Sequence, residues 1–362
     1  MSEFTTSRRT TIKDVAQAAG VSVTTVSNVL NGRADAMSPE TLAHIQAVIS
    51  ALNYHPNSLA RSLVTGRAAT IALLIAEIET PLFLQAVSTI EPLAREAGYS
   101  VIICSARGID DEHQALDLLR EKRVDGIIFL STSLYAEDDH LLQLQKSGMP
   151  MVLINRTTKH DCFVQIDWDN AGGVASAVKH LASLGHERIA HLRGPINRRS
   201  SEERLRGYKL ALDQAGLPFN QEWVYLCDYE APQEAWRRTV RTLLGRKPRP
   251  TAIIGSDDIV AAVAMSEVQR NGLRVPDDVA IVGVDDQPFC LYVNPSLSTV
   301  KLPIAEAGRQ AMSLLLERIG AESPGTERIL LPCPLVVRDS CGGLRADAQN
   351  RPKQPPQQAA FW

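Results

Sequence analysis

The sequence of 362 residues lacks several features that would place it in other protein classes. None of its six cysteines forms a C-x-x-C pair, so we expect neither a disulfide framework nor a structural zinc site. No apolar run is long enough for a membrane span, and no apolar signal region stands at the N-terminus. We therefore expect a cytoplasmic protein without a membrane partner.

Motifs for cofactors and catalysis are missing as well. The patterns G-x-G-x-x-G, G-x-x-x-x-G-K-[ST] and G-x-S-x-G, which hold nucleotide phosphates or present a serine nucleophile, do not occur in a suitable context. The histidines show no metal-ligand spacing. We expect no cofactor, no metal and no catalytic residue, although an α/β scaffold by itself does not decide against an enzyme.

Charge is distributed unevenly along the chain, whose net charge is −3. Residues 1–67 hold six basic and four acidic side chains, a net charge of +2, which leaves −5 for the rest. Phosphate contacts supply affinity for DNA, while an acidic body avoids indiscriminate binding. A modestly basic head on an acidic body is therefore typical of a specific DNA-binding protein.

Residues 11–31 predict two short helices joined at a glycine. Thr11 is a suitable N-cap, and Asp14 completes a capping box. Gly20 predicts the end of the first helix, because glycine enters the left-handed region without a Cβ penalty. Ser22 can cap a second helix. The pattern predicts a helix-turn-helix, whose second helix enters the major groove of DNA; the alternative is an amphipathic helical hairpin packed on a larger domain.

A third helix is predicted from Ser38-Pro39-Glu40, with serine as cap and proline at the first helical position. The segments T-I-K-D-V-A, A-G-V-S, T-V-S with V-L-N, and Y-x-P-N-x-x-A-R-x-L stand in one order over some sixty residues. Their order and spacing resemble those of the lactose-repressor (LacI/GalR) family. This multipart signature strongly favours the helix-turn-helix interpretation.

From Thr70 onwards, short apolar runs alternate with helical patterns, which predicts parallel sheets covered on both faces. Predicted strands are 71–76, 100–104, 126–130, 151–154, 189–192, 252–254 and 279–284. Predicted helices are 83–97, 111–120, 138–147, 171–184, 201–215, 233–244 and 259–271. Right-handed crossovers make each of two α/β lobes doubly wound.

The family resemblance continues through this body, from T-I-A-L-L-I to V-V-R-D-S. It implies an all-α helix-turn-helix head with a hinge, then a core similar to periplasmic sugar-binding proteins. The implied segments are the head at 1–56, the hinge helix and linker at 57–68, and the core at 69–341. Lobe 1 is expected at about 69–166 and 297–325, and lobe 2 at about 167–296 and 326–341. The Pro- and Gln-rich tail, 342–362, is predicted to be disordered.

The resemblance assigns the base-reading positions of the second helix to Val23, Thr24 and Asn28. Asparagine can pair bidentately with adenine, threonine can contact the thymine methyl group, and valine offers apolar contact. Residues expected at phosphates, which fix register without reading sequence, are Thr11, Ser22, Thr25, Ser27 and Arg33. For each of them the alternative is an ordinary cap or a solvated side chain.

The hinge is the second DNA element that the resemblance implies, with Asn57, Ala60 and Leu63 as its DNA-binding residues. Residues 57–64 would fold into a short helix only on the operator, paired with the same segment of a second subunit. Leu63 would enter the minor groove and kink the duplex; the alternative is that it packs against the body. A segment this short is not stable as an isolated helix.

An effector pocket between the lobes is also implied by the resemblance. Its expected residues are Leu82, Phe83, Arg198, Arg204, Tyr229, Asp257 and Asp285. An aromatic face with acidic acceptors fits a sugar, and arginine offers a fork for carboxylate, phosphate or ring oxygens. Arg198, with Arg199 beside it, points to an anionic ligand such as a sugar acid or sugar phosphate, although adjacent arginines are usually solvated. The expected effector is therefore a sugar, a sugar acid or a sugar phosphate.

Together these observations predict a homodimeric transcriptional repressor that binds double-stranded operator DNA and responds to a small-molecule effector. The twofold symmetry of a dimer should be mirrored in a roughly palindromic operator. The alternative from another class is a cytoplasmic sugar-binding protein without regulatory DNA binding. Whether the effector promotes binding or release stays open.

Overall fold

Contacts divide the chain into two units, Met1–Ala69 and Thr70–Trp362. The computed structural model describes residues 10–30, 37–54, 67–76, 81–130, 138–156, 158–229, 231–321 and 325–343. Within these ranges no helix has both the length and the apolar character that crossing a membrane requires.

The described part of the first unit contains three helices, α1 (Ile12–Ala19), α2 (Val23–Leu30) and α3 (Pro39–Ala51). Gly20 follows α1 with a φ of 65°, the left-handed turn that its position predicts. The Ser22 hydroxyl accepts the N–H of Thr25 at 3.0 Å, and Ser38 caps α3. The predicted helix-turn-helix is therefore confirmed.

A small apolar core holds these helices together. Its buried residues are Val15, Ala16, Ala19, Val26, Ile45 and Tyr54. Val26 is the residue of α2 that is fully buried, with Val29 and Leu30 packed beside it. The opposite side of α2 is thereby left to solvent.

In the second unit, apolar runs form strands and the segments between them form helices. The strands are β1 (Thr70–Ile75), β2 (Ser100–Ser105), β3 (Gly126–Leu130), β4 (Met151–Ile154), β5 (Val164–Trp168), β6 (Ile189–Arg193), β7 (Val224–Leu226), β8 (Ala252–Gly255), β9 (Ala280–Asp285), β10 (Ser298–Lys301), β11 (Glu327–Leu331) and β12 (Leu335–Val336). The helices are α4 (Pro81–Glu96), α5 (Ile109–Glu121), α6 (Asp139–Lys146), α7 (Asn170–Ser183), α8 (Arg199–Gln214), α9 (Gln233–Leu244), α10 (Asp258–Arg270) and α11 (Ile304–Arg318). Together they form two lobes.

Each lobe is built on one sheet. The first sheet has the order β11-β5-β4-β3-β1-β2, and its paired strands are parallel. The second has the order β12-β10-β9-β8-β6-β7, with β12 antiparallel to β10. Ile71 and Leu73 of β1 pack with α4 and α11, whereas Ala72 and Leu74 pack with α5 and α6. The strands are buried because helices cover both faces, as predicted.

The strand order determines where a ligand can bind. In both lobes the first strand lies between the second and the third, so the winding reverses between β1 and β3 and between β6 and β8. Open α/β sheets bind ligands outside the carboxyl ends of the strands at such a switch point. The loops after β6, β8 and β9 therefore form the expected edge of the second lobe.

The crossings between lobes lie later in the chain than predicted. The return to the first lobe was expected near Leu297, but β10 pairs with β9 and keeps residues 298–301 in the second sheet. The expected change near residue 326 is also too early, because β11 pairs with β5 in the first sheet. Helix α11 and strands β5, β7, β10, β11 and β12 were not predicted. β7 and β12 are too short to show periodicity, and Gln165 and Asp167 interrupt the apolar pattern of β5.

Candidate functional sites

The exposed side of α2 carries the three residues expected to read DNA bases. Val23, Thr24 and Asn28 are exposed, and Val23 retains 41% of its accessible surface. Val23 is not among the described residues that form or pack against the core of these helices. The three side chains are thus available for contacts outside the chain.

The residues expected at phosphates cluster at the beginnings of α1 and α2. The Thr11 hydroxyl donates to the Asp14 carboxylate at 2.8 Å, and the Thr11 N–H reaches the same oxygen. The hydroxyls of Ser22 and Thr25 lie 2.8 Å apart, and Ser27 is half-buried. Helix N-termini favour anions, because their first N–H groups are unsatisfied within the helix. Arg33, Asn57, Ala60 and Leu63 lie outside the described residues, as does most of the hinge.

Arg204 is the centre of the second-lobe edge. It lies on α8 with 6% of its surface exposed. Its Nε donates to Asn170 Oδ1 at 3.0 Å, and its Nη1 donates to the carbonyl oxygen of Ser256. Its Nη2 lies 3.7 Å from Asp285 Oδ1. The guanidinium is therefore held by residues from α7 and from the ends of β8 and β9.

Two of the predicted acidic residues face this arginine. Asp257 follows β8, accepts the N–H of Val260 at 2.7 Å and so caps α10. Asp285 ends β9 with a φ of 124°, a conformation that only glycine adopts without strain. Burial raises the pKa of Asp257, and it raises the pKa of Asp285 well above its ordinary value, although Arg204 opposes both shifts. One arginine thus compensates the negative charge of these two carboxyl groups only poorly.

Tyr229 completes this group. The residue as a whole is 36% exposed, but its hydroxyl lies inward, in hydrogen-bonding contact with Ser256 and Asp257. Burial raises the pKa of the phenol well above its ordinary value. A Cβ at Gly194 would stand 2.8 Å from the phenol oxygen, so glycine there permits the close approach. The structure therefore brings together Arg204, Tyr229, Asp257 and Asp285.

The contacts of the described residues do not place the remaining residues expected in the pocket within this group. Phe83 is 3% exposed and packed in the apolar core, and the side chain of Leu82 lies outside the described ones. Arg198 precedes α8 and is half-buried. Arg199 is already engaged by Asp167, by Glu203 and by the carbonyl oxygen of Arg156. The adjacent arginines therefore do not form a pair that is open to an anionic ligand.

Three residues of this edge were not predicted as site residues. Asn170 and Ser256 hold Arg204, and Asp258 is fully buried beside Asp257. The Asp258 carboxylate accepts the Thr299 hydroxyl at 2.5 Å and the N–H of Gln287 at 2.7 Å, yet burial raises its pKa to about 6. The repeated D-D pairs at the ends of β8 and β9 were the available signal.

One group of potential metal ligands does occur among the described residues, although histidine spacing predicted none. Asp138, Asp139 and His160 place ligand atoms within 4.8 Å of one another. The Asp138 carboxylate already accepts the N–H groups of Lys159 and His160, at 2.7 and 3.1 Å, and lies 3.0 Å from His160 Nδ1. These contacts explain the buried aspartate without an ion.

Sequence comparisons identify the kind of domain in each unit of the chain. Residues 11–57 match the bacterial regulatory proteins of the lacI family, and residues 178–341 match a periplasmic binding protein-like domain. The chain is 33% identical over 337 residues to the HTH-type transcriptional repressor PurR of Photobacterium profundum, covering 92% of this chain and 99% of that protein. It is 35% identical over 335 residues to the repressor PurR of Proteus mirabilis, covering 91% and 96%.

Solved structures are similar over the same length. A lac repressor dimer bound to operator and the anti-inducer ONPF aligns with a TM-score of 0.81 and 27% identity, covering 92% of this chain and 99% of that chain. The transcriptional regulator CelR in a cellobiose complex aligns with a TM-score of 0.68 and 31% identity, covering 92% and 100%. The head and the two-lobed body thus occur together in proteins that bind DNA and in one that binds a sugar.

Proposed function

The chain belongs to the lacI family of bacterial regulatory proteins, and we propose that it is a homodimeric repressor whose operator affinity is set by a small molecule bound between its lobes. Sequence-specific DNA binding and transcriptional regulation are the function of this family. The helix-turn-helix, with Val23, Thr24 and Asn28 turned outward on α2, is the observation that carries the DNA-binding role. Because its target is DNA, we propose that the protein acts in the bacterial cytoplasm.

Selection of bound sequences from a random DNA pool, followed by titration, tests this role. Each neutralised phosphate releases a counterion, so we expect affinity to fall by a factor of roughly 10³ to 10⁵ between 50 and 200 mM salt. Asn28→Ala should relax the preference at one base pair, by about 1–3 kcal/mol, because it removes an amide suited to adenine. Gln46→Ala, exposed on α3, is the matched control. Equal weakening on all sequences would instead make Asn28 a phosphate contact.

For the effector we propose a neutral sugar or a similarly polar neutral ring. Arg204 already donates to Asn170 and Ser256 and lies beside Asp285, so its positive charge is compensated. An anionic ligand would lie against the carboxyl groups of Asp257 and Asp285, whose raised pKa values indicate that this edge already disfavours negative charge. Sugar hydroxyls, by contrast, donate to carboxylates and accept from arginine. The cellobiose complex of CelR supports a sugar as the class to test first.

A thermal-shift panel separates these ligand classes. It contains ribose, glucose and cellobiose as neutral sugars, gluconate and glucose phosphate as anions, and hypoxanthine and guanine as nucleobases. A compound that binds only the folded protein raises the melting temperature. We expect the largest shift from a neutral compound. A larger shift with gluconate or glucose phosphate would contradict the proposed effector class, and a nucleobase would replace the sugar as the neutral ring.

We further propose that an apolar patch on the second lobe joins the two subunits. Ile259 is 39% exposed, Leu291 is 60% exposed and Tyr292 is 81% exposed. The segments that carry them are adjacent, because the Gln287 N–H donates to Asp258. Exposed apolar groups of this size, close together, mark interfaces. Sedimentation should give a dimer for the unmodified chain and a monomer for L291S/Y292S; a dimer in both would place the interface elsewhere.

A further inference from the structure

Polar contacts around Arg204 continue beyond the proposed effector site. Arg204 Nε donates to Asn170 Oδ1, and Asn170 Nδ2 donates to Glu203 Oε2, each at 3.0 Å. Reversing the amide would set a donor against the arginine and an acceptor against the glutamate, so this orientation alone satisfies both neighbours. Asn170 is 2% exposed. It therefore determines the direction of the guanidinium from a rigid, buried position.

The second oxygen of Glu203 extends the row. It accepts from Arg199 Nε at 2.7 Å, one helical turn earlier on α8. Arg199 Nη1 donates to Asp167 Oδ1 at 2.9 Å and to the carbonyl oxygen of Arg156 at 3.1 Å. Asp167 belongs to β5, and Arg156 follows β4, so both lie in the first lobe. Arg199 thus connects the second lobe to two strands of the first.

The members of this row depend on one another. Asp167 is 1% exposed, and its other oxygen accepts from Arg328 of β11 at 3.0 Å. The charges alternate in sign along the row, from Arg328 through Asp167 and Arg199 to Glu203. Asn170 then connects Glu203 to Arg204 by hydrogen bonds to both. The Arg328 side chain is 59% exposed, but the contacts from Asp167 to Arg204 are partly or fully buried. Hydrogen bonds shielded from water polarise each other, and removing one member leaves its neighbour unsatisfied. A substitution at one end of the row should therefore alter the hydrogen bonds at the other end.

We propose that Asn170, Glu203 and Arg199 are positioning residues that hold Arg204 in a defined relation to the first lobe. The proposal rests on Arg204 being part of the effector site. It assigns Arg199 to linking the lobes. Through this row, movement of one lobe against the other changes the direction in which Arg204 faces the effector, and effector binding biases the lobe arrangement in return.

Amide hydrogen exchange in the full chain without effector tests the proposal. Arg199→Gln should accelerate exchange at residues 255–261 by at least about threefold, because Arg204 then holds the Ser256 carbonyl less firmly. Arg199→Lys keeps the charge but loses the fork, so its effect should be intermediate. Arg206→Gln, exposed on the same helix, is the control and should leave residues 255–261 unchanged. Unchanged exchange in α9 excludes general loosening.

A double variant distinguishes a connected row from separate local effects. Arg199→Gln should add no further acceleration at residues 255–261 once Asn170→Ala has broken the row. Additive effects would overturn the proposal, as would acceleration confined to the direct contacts of Arg199. Should Asn170→Ala fail to fold, the comparison of Arg199→Gln with Arg206→Gln decides alone. The measurement needs no effector, so its outcome is independent of the ligand panel.

Discussion

The two lobes share one strand order, yet they bury carboxylates in opposite electrostatic settings. In the first lobe, burial raises the pKa of Glu112, but hydrogen bonds from His140 at 2.6 Å and Arg156 at 2.7 Å outweigh it, and the net shift is downward. Burial also raises the pKa of Asp138, but hydrogen bonds from His160 and from backbone N–H groups outweigh it, so its net shift is downward as well. These carboxylates are well satisfied where they lie.

In the second lobe, burial dominates instead. It raises the pKa values of Asp257 and Asp285, which lie near Arg204, and of Asp258, which is buried beside Asp257. Ionisable groups with strongly shifted pKa values occur preferentially at binding sites. A bound ligand can donate the hydrogen bonds that such groups lack in the free protein. The two lobes thus offer equivalent edges, and the loops after β8 and β9 give the second of them the poorly satisfied carboxyl groups on which the proposed effector site rests.

Of the substitutions that test this difference between the lobes, Arg204→Ala should have the largest effect. It removes the cation from the second-lobe edge, and we expect at least about a 100-fold loss of affinity for the panel compound that shifts the unmodified protein most. Calorimetric titration measures the loss, with Arg206→Ala as the control on the same helix. Binding within threefold of the unmodified protein would remove Arg204 from the site.

Glu112→Gln tests the first lobe. The buried Arg156 then lacks a full counter-charge, and we expect a loss of about 2 kcal/mol in the free energy of unfolding at pH 7. Because the folded pKa of Glu112 is lowered, its contribution is present above its ordinary value of 4.5 and is lost as pH falls. Urea unfolding followed from pH 7 to about 3 should therefore show a smaller loss of stability below pH 4.5 in Glu112→Gln than in the unmodified chain. Glu121→Gln, exposed on the same helix, should match the unmodified chain.

Asp258→Asn tests the opposite pH dependence of stability, which we expect in the second lobe. A carboxyl group with a folded pKa of about 6 and an ordinary value of 3.8 stabilises the folded state below pH 3.8 and loses that contribution as pH rises through 6. The full shift corresponds to about 3 kcal/mol, and we expect about half of it after local relaxation. Unfolding of Asp258→Asn should lack this decline between pH 4 and 6.5. Asp213→Asn, exposed on α8, is the control; an unchanged decline in Asp258→Asn would assign it to other groups.

A smaller effect is expected at the first-lobe edge. Asn155 follows β4 with a φ of 51°, and neither polar atom of its buried amide has a hydrogen-bond partner among the residues that the structure describes. If the edge faces a ligand, Asn155→Ala should lower the affinity for the best panel compound about threefold to tenfold, the worth of one hydrogen bond. Titration with Gln143→Ala, on α6, provides the comparison. Equal affinities in the two variants would leave the second lobe as the sole contributor.

Local signals made the first unit predictable. Gly20, Ser22 and Ser38 act on residues within one turn of themselves, so their roles follow from the sequence. The resemblance to a known family supplied Arg204 and Asp285, which only the tertiary fold brings together. The row through Asn170 and Glu203 depends on side-chain orientation, and nothing in the sequence distinguishes the helix-capping Asp257 from the buried Asp258. Strands β7 and β12 were missed because so few residues form them.

Operator binding in the presence of effector tests the central claim, that the second-lobe edge around Arg204 controls the DNA-binding head. The measurement is the operator Kd with and without a saturating concentration of the best panel compound, in the unmodified protein and in Arg204→Lys. Allosteric coupling of roughly 1–3 kcal/mol predicts a change of about fivefold or more in the unmodified protein and none in the variant. The same change in both proteins would contradict the account.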